Sequence, residues 1–244
     1  MLIPTSVVIF VREKPTLTLV SFGFMSGTAF LHLLYFLVLQ RAYRTGDLSL
    51  VYPLARGTGP ALSTIAAILI LDEKPSRVAI LGVILVILGV VLLTSRDKTE
   101  SASRSASAIK WGFLCGVCIA TYSVWDKIGV DEIEIPPVML ETAASLGISI
   151  MLAPYALRNW ETAKRHWRDN RREIVGIAVL APASYILILT AMSFTDLSYV
   201  APSREISVLI GAILGKRLLG EEHSGRRIVA ACAMVAGLIA LAMG

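Results

Sequence analysis

Eight apolar runs, each close to the length of a bilayer's hydrocarbon, leave this chain few ways to fold. They cover Leu17–Leu39, Leu48–Leu71, Val78–Ser95, Ile109–Trp125, Ile135–Leu157, Ile174–Phe194, Leu197–Gly215 and Ile228–Gly244. A spanning helix needs ~20 predominantly apolar residues, with a range of ~17–25. Of 23 Lys and Arg and 18 Asp and Glu, only Arg56, Lys110, Glu141, Arg204 and Glu205 fall inside these runs. Hydrocarbon imposes such segregation, because a charge at its centre costs ~2.5–3.5 kcal/mol even on the mildest scale. A soluble all-helical protein would need amphipathic surface helices, and the first, third, sixth and eighth runs have no polar face. Charged residues make up 17% of the chain and mean hydropathy is +0.71, against about 25% charge in an ordinary soluble domain. The apolar excess excludes disorder, and three cysteines in 244 residues exclude a disulfide scaffold. The net charge of +5 sits between the runs, so it addresses membrane faces rather than nucleic acid.

The connecting segments carry their own information. Leu2–Val11 is apolar but reaches only about halfway through the hydrocarbon at ~1.5 Å per residue. It has no basic segment before it and no small-residue cleavage site after it, so it reads as half a helix rather than a signal peptide. Arg96–Ala108 is polar and Ser/Ala-rich and reads as a linker. Arg158–Glu173 is basic with two tryptophans; it is either a solvated connector with an aromatic belt or a helix lying on anionic lipid. Counting Lys and Arg in alternate loops gives 16 on one face and 5 on the other. The positive-inside rule then places the carboxyl end outside.

The chain also repeats itself. A shift of 149 aligns Ala42 with Ala191, Asp47 with Asp196, Leu48 with Leu197, Ser49 with Ser198, Val51 with Val200 and Pro53 with Pro202. Without a gap it also aligns Asp72-Glu73 with Glu221-Glu222 and Arg77 with Arg226. The copies lie five spans apart. Five is odd, so they cross the membrane in opposite directions, as in transporters built from inverted repeats around a midplane site.

Under the same shift Arg56 falls on Glu205, each eight residues into its run. Entering from opposite faces, each is ~12 Å deep in a core ~30 Å thick. The pattern points to a midplane polar site. Arg56 or Arg204 would clamp a carboxylate or phosphate of a substrate, and Glu205 would pair with the spare cation or bind a proton. The competing explanation is an ion pair that ties the two halves together. Pro53, Gly57 and Pro60 surround Arg56, and Pro202 precedes Arg204. Proline withdraws an N–H from the helix, giving a kink or an unwound turn where a ligand could dock. Tyr52 and Trp125 are further candidates for the wall of such a site, alongside Tyr35, Tyr122, Tyr185 and Tyr199, which equally suit packing or an interfacial belt.

Other intramembrane residues say less about chemistry. Glu141 lies near the end of its run, where it can snorkel to the interface. A lone His32 at mid-span suits a helix–helix hydrogen bond better than a proton relay. Cys115 and Cys118 lie in an apolar helix with no second pair, which suits packing rather than metal or redox work. Gly23/Gly27, Gly112/Gly116 and Gly211/Gly215 permit close helix approach. Asp72-Glu73 and Glu221-Glu222 precede apolar helices and favour their N-termini electrostatically. No zincin, nucleophile-elbow, phosphate-loop or aspartate-rich metal motif occurs, so an enzyme is not expected, nor a metal.

The segments AYRTGDLSLVYPLARG (Ala42–Gly57), ILDEKPSRVAILGVILVILGVVLL (Ile70–Leu93) and DLSYVAPSREISVLIGAILGKRLLGEE (Asp196–Glu222), with the Gly/Ala-rich last run, resemble an EamA-type member of the drug/metabolite transporter superfamily. The resemblance implies an all-α integral membrane protein built from two inverted five-helix repeats. Here it implies eight full transmembrane helices plus an N-terminal half helix, with residues 1–95 as an incomplete first repeat, 96–108 as linker and 109–244 as the second repeat. The first helix and half of the second would lie upstream, or the chain is a truncated copy. It further implies a multi-pass protein of a bacterial inner membrane. Its work would be moving a small metabolite, such as an amino acid or drug-like compound, with no cofactor and with proton coupling open. Family habit puts both termini in the cytoplasm, against the loop count. The alternative is a non-transporting remnant or a subunit of a lipid-flipping complex. Substrate, direction, coupling ion and oligomeric state are not legible.

Overall fold

Apolar runs without polar faces form helices because only a helix satisfies every backbone N–H and C=O within one segment in oil. The computed structural model describes residues 2–45, 48–94, 102–207, 210 and 225–244. Its helices are α1 (Leu2–Glu13), α2 (Leu19–Thr45), α3 (Leu48–Ile70), α4 (Arg77–Thr94), α5 (Ala102–Asp131), α6 (Pro137–Arg158), α7 (Trp160–Met192), α8 (Leu197–Ser203) and α9 (Gly225–Met243). No strand occurs among the described residues. Four stretches are long and apolar enough to cross a membrane: Leu19–Arg44, Lys110–Asp131, Pro137–Arg158 and Trp160–Met192. Leu2–Arg12, Ala55–Ile70, Arg77–Leu92 and Cys232–Met243 are apolar but shorter. The chain is a multi-pass α-helical membrane protein.

Two compact units interleave along the sequence, the first from Met1–Leu33 and Trp125–Phe194, the second from Leu34–Val124 and Thr195–Gly244. The boundaries fall inside α2 and α5.

The first unit is held by small residues and short polar contacts, the means left when lipid removes the hydrophobic drive between helices. On α1, Ser6 meets Thr142 of α6 through their hydroxyls at 2.6 Å. Ala29 of α2 sits against Gly147 of α6, where a Cβ would come within 2.5 Å. Trp125 stacks on Phe24, ring centroids 4.5 Å apart, and donates its indole N–H to the Phe24 carbonyl at 3.0 Å. Ile135, Leu140, Leu189 and Met192 are fully buried, whereas Ile177, Leu180 and Leu187 on α7 are exposed for the lipid. Inside α7 the helix kinks at Asn170 (φ −129°, ψ 31°), setting the basic stretch 160–169 apart from the apolar remainder. The connector expected over Arg158–Glu173 is therefore helical from Trp160 onward.

The second unit is organised by glycines. Gly82 of α4 faces the Gly237 carbonyl of α9, and Gly89 faces Met234 and the Ala230 carbonyl. These pairings make α4 and α9 antiparallel, with Ala79, Val83, Val86, Val90, Met234 and Leu241 as their shared core. A second core joins Val38, Ala42, Ala55 and Cys115 from α2, α3 and α5. There Gly116 packs against Thr58 and Gly59, where a larger residue would collide.

Three expectations change. The linker over Arg96–Ala108 is helical from Ala102, since its alanines extend α5 outward; 96–101 lie outside the described residues. Glu141 does not snorkel: it is 7% exposed, and Ser145 one turn on donates to its carboxylate at 2.9 Å. Glu73 serves α8 rather than the helix that follows it. Its two oxygens accept the backbone N–H groups of Leu197 (2.7 Å) and Ser198 (2.8 Å). Asp72 takes a left-handed conformation, φ 54°, closing α3 just before Glu73. The α8 N-cap, Asp196, makes no side-chain capping bond of its own, so Glu73 supplies the missing acceptor. Glu221-Glu222 and Gly211/Gly215 lie outside the described residues.

Candidate functional site

In the second unit α3 and α8 carry the intramembrane charges to one place. Arg56, two turns into α3, points its Nη1 at Glu205 Oε1, 3.4 Å away. Glu205 is 3% exposed, and its Oε2 has no hydrogen-bond partner among the described residues. Arg204 turns instead to α5. Its Nη2 donates to the Tyr122 hydroxyl at 3.3 Å and its Nη1 to the Ser123 hydroxyl at 3.5 Å, with the guanidinium 6.0 Å from the Tyr122 ring centre. Tyr35 of α2 meets Tyr122 edge-on at 5.5 Å and lies within electrostatic reach of Arg56.

Local backbone chemistry shapes this group. Pro202 has no N–H, and α8 stops at Ser203. Beyond it the N–H of Glu205 bonds to the Pro202 carbonyl and that of Ser207 to the Arg204 carbonyl, three residues back rather than four. Arg204 and Glu205 therefore stand on a tightened turn, not on a regular helix. By contrast α3 continues as helix through Pro53, Gly57 and Pro60. Pro60 still offers no N–H to the carbonyl of Arg56, four residues earlier.

Chemically, one guanidinium faces the carboxylate and a second lies beside Tyr122, an excess of one positive charge among these three side chains. These contacts of 3.3–3.5 Å are long beside the ~2.7–2.9 Å of a closed charge-assisted hydrogen bond. A carboxylate or phosphate introduced here would find planar, bidentate donors and stacking tyrosines. Tyr52 lies on α3 one turn before Arg56, and its side chain lies outside the described residues. Trp125 belongs to the first unit, where Phe24 and Gly27 enclose it.

The first unit contains a buried polar group that hydropathy passed over. Asp126 of α5 is fully buried. Its Oδ1 accepts from the Thr28 hydroxyl at 2.7 Å. Its Oδ2 meets His32 Nε2 at 2.8 Å and accepts from the Tyr185 hydroxyl at 2.5 Å. The fourth apolar run ends at Trp125, one residue short of Asp126, yet α5 continues to Asp131. The signal available was His32: an imidazole in mid-membrane needs a polar partner on another helix. Lys127, also buried, donates to the Met192 carbonyl at 2.9 Å and pairs with Asp131 at 2.7 Å. No cluster of three or more His, Cys, Asp or Glu suited to a metal occurs among the described residues.

The family profile described as the EamA-like transporter family matches residues 106–243. A solved structure described only as the crystal structure of a protein is similar over 97% of this chain and 83% of its own, with TM-score 0.73 and 14% identity. At that identity the likeness concerns the fold alone. Among curated proteins none matches the chain.

Proposed function

The chain belongs to the EamA-like transporter family, and from that premise we propose that it is a secondary transporter of a small metabolite, such as an amino acid or drug-like compound. It moves this substrate through a bacterial cell membrane by alternating access. Eight full spans and a half span form two inverted repeats, the first incomplete, and Arg56, Arg204 and Glu205 make up the midplane site. The observation that carries this reading is the Arg56–Glu205 contact. The two residues are repeat mates, 149 positions apart, and they touch each other. A contact between mates lies on the axis that relates the two copies. An inverted-repeat transporter keeps its substrate site there.

In this reading Arg56 or Arg204 binds an anionic group of the substrate, and Tyr35 and Tyr122 flank its apolar part. The test is a metabolite-tolerance and uptake screen in cells expressing the chain, repeated with Arg56→Ala. Losing one charge-assisted contact, ~1.5–3 kcal/mol, lowers apparent affinity about tenfold to a hundredfold while membrane insertion is unchanged. Equal transport by the variant rules the clamp out.

A further inference from the structure

We propose that Asp126, with His32, Tyr185 and Thr28, is a proton-binding site, and that the proton it takes up drives transport; the second half of this statement rests on the transporter reading above. Asp126 is 0% exposed, and its hydrogen-bond partners among the described residues are two hydroxyls and one imidazole, with no lysine or arginine among them. A lone ionised carboxylate in a low-dielectric interior is costly. Neutralising it takes one proton, held either on the carboxyl or on the imidazole. Both forms can be fully hydrogen-bonded. With the carboxylate ionised, Thr28, His32 and Tyr185 all donate to it. With the carboxyl protonated, its O–H donates to His32 Nε2 in the other tautomer, while Tyr185 and Thr28 rotate to suit. A buried site that stays satisfied with and without its proton can load and unload without leaving a polar atom stranded.

The surroundings favour a proton over a metal ion. Thr28, His32 and Tyr185 each approach the Asp126 carboxylate directly, at 2.5–2.8 Å, leaving no gap for a cation between it and them. The His32 ring lies edge-on to Tyr185, centroids 5.0 Å apart, which fixes its tilt. Glu141 of α6 lies within electrostatic reach of both Asp126 and His32. Among the described residues, His32 from α2, Glu141 from α6 and Tyr185 from α7 are titratable groups that face the site. On α5 itself Lys127 is turned to Met192 and Asp131.

Proton binding is tested on the purified full chain in nanodiscs, titrated between about pH 8 and pH 5. Difference infrared spectroscopy follows the carboxylic C=O stretch, and ring-15N resonances follow the three histidines, with His32→Gln assigning His32. We expect a carboxylic band that grows on acidification and is lost in Asp126→Asn but kept in Glu141→Gln. We also expect the His32 ring-15N resonances to move in Asp126→Asn, because the carboxylate partner of Nε2 is lost. Tyr185→Phe keeps the carboxyl and shifts its midpoint, so it serves if Asp126→Asn does not fold. A wild-type chain with no titrating carboxyl or His32 resonance in this range overturns the site.

Coupling is tested in phosphatidylethanolamine/phosphatidylglycerol vesicles with a radiolabelled amino-acid mixture. One pH unit across the membrane supports about tenfold accumulation per coupled proton. Asp126→Asn should lose that accumulation; accumulation at the wild-type level overturns the coupling. If the wild-type chain titrates but moves no label, the amino-acid substrate class fails and the proton site stands.

Discussion

Arg56 is the residue whose role is easiest to misjudge from its partner alone. Its contact with Glu205 is 3.4 Å long, and its side chain is 36% exposed. Such a pair contributes about 1 kcal/mol or less. A double-mutant cycle on thermal unfolding in detergent should therefore return a coupling of ~1 kcal/mol or below. Transport by Arg56→Ala should fall by about tenfold or more. A coupling of several kcal/mol with unimpaired transport would make the pair a structural tie. The sequence already marked Arg56 and Glu205, because a charge eight residues into an apolar run is conspicuous. It gave no sign that Arg204 turns away from Glu205 toward Tyr122, since side-chain direction on a tightened turn is set by its neighbours.

At the scale of elements, packing rests on a few backbone approaches. A Cβ at Gly82 would lie 2.8 Å from the Gly237 carbonyl and 3.0 Å from Leu241, whereas at Gly23 it would meet nothing within 4 Å. Gly82→Val should therefore destabilise the α4–α9 pair by ~1–3 kcal/mol. Gly23→Ala should be neutral or slightly stabilising, and thermal unfolding in micelles distinguishes them. Glu73→Ala removes the acceptor for two N–H groups at the start of α8, a loss of about 1–2 kcal/mol. Because α8 leads directly into Arg204 and Glu205, the same variant should impair transport at temperatures where it stays folded. A variant with intact melting and intact transport would show that Glu73 does not hold α8. The helices themselves were legible as apolar runs. The service of Glu73 to α8 was not, because it joins residues 124 and 125 positions apart.

For the whole molecule the decisive surface is α7, where Leu180 and Leu187 are 70% and 72% exposed. In a soluble bundle such leucines would be a liability, and an arginine there would improve solubility. Against lipid, Leu180→Arg should cost ~2.5–3.5 kcal/mol of insertion. Protease-protection mapping should find less of the variant inserted in the membrane. Unchanged insertion with better solubility would contradict the membrane architecture.

The sequence alone determined that the chain lives in a bilayer, roughly where its helices run, and that Arg56, Arg204 and Glu205 stand inside apolar runs. Hydrophobicity and periodicity are local properties, and the penalty for burying charge in oil is large enough to leave a plain mark on composition. Only the tertiary structure decided which buried groups meet: Asp126 with His32 and Tyr185, Glu73 with the start of α8, Arg204 with Tyr122. Those meetings depend on the rotation and crossing of helices, which arise from how small residues on separate segments fit together.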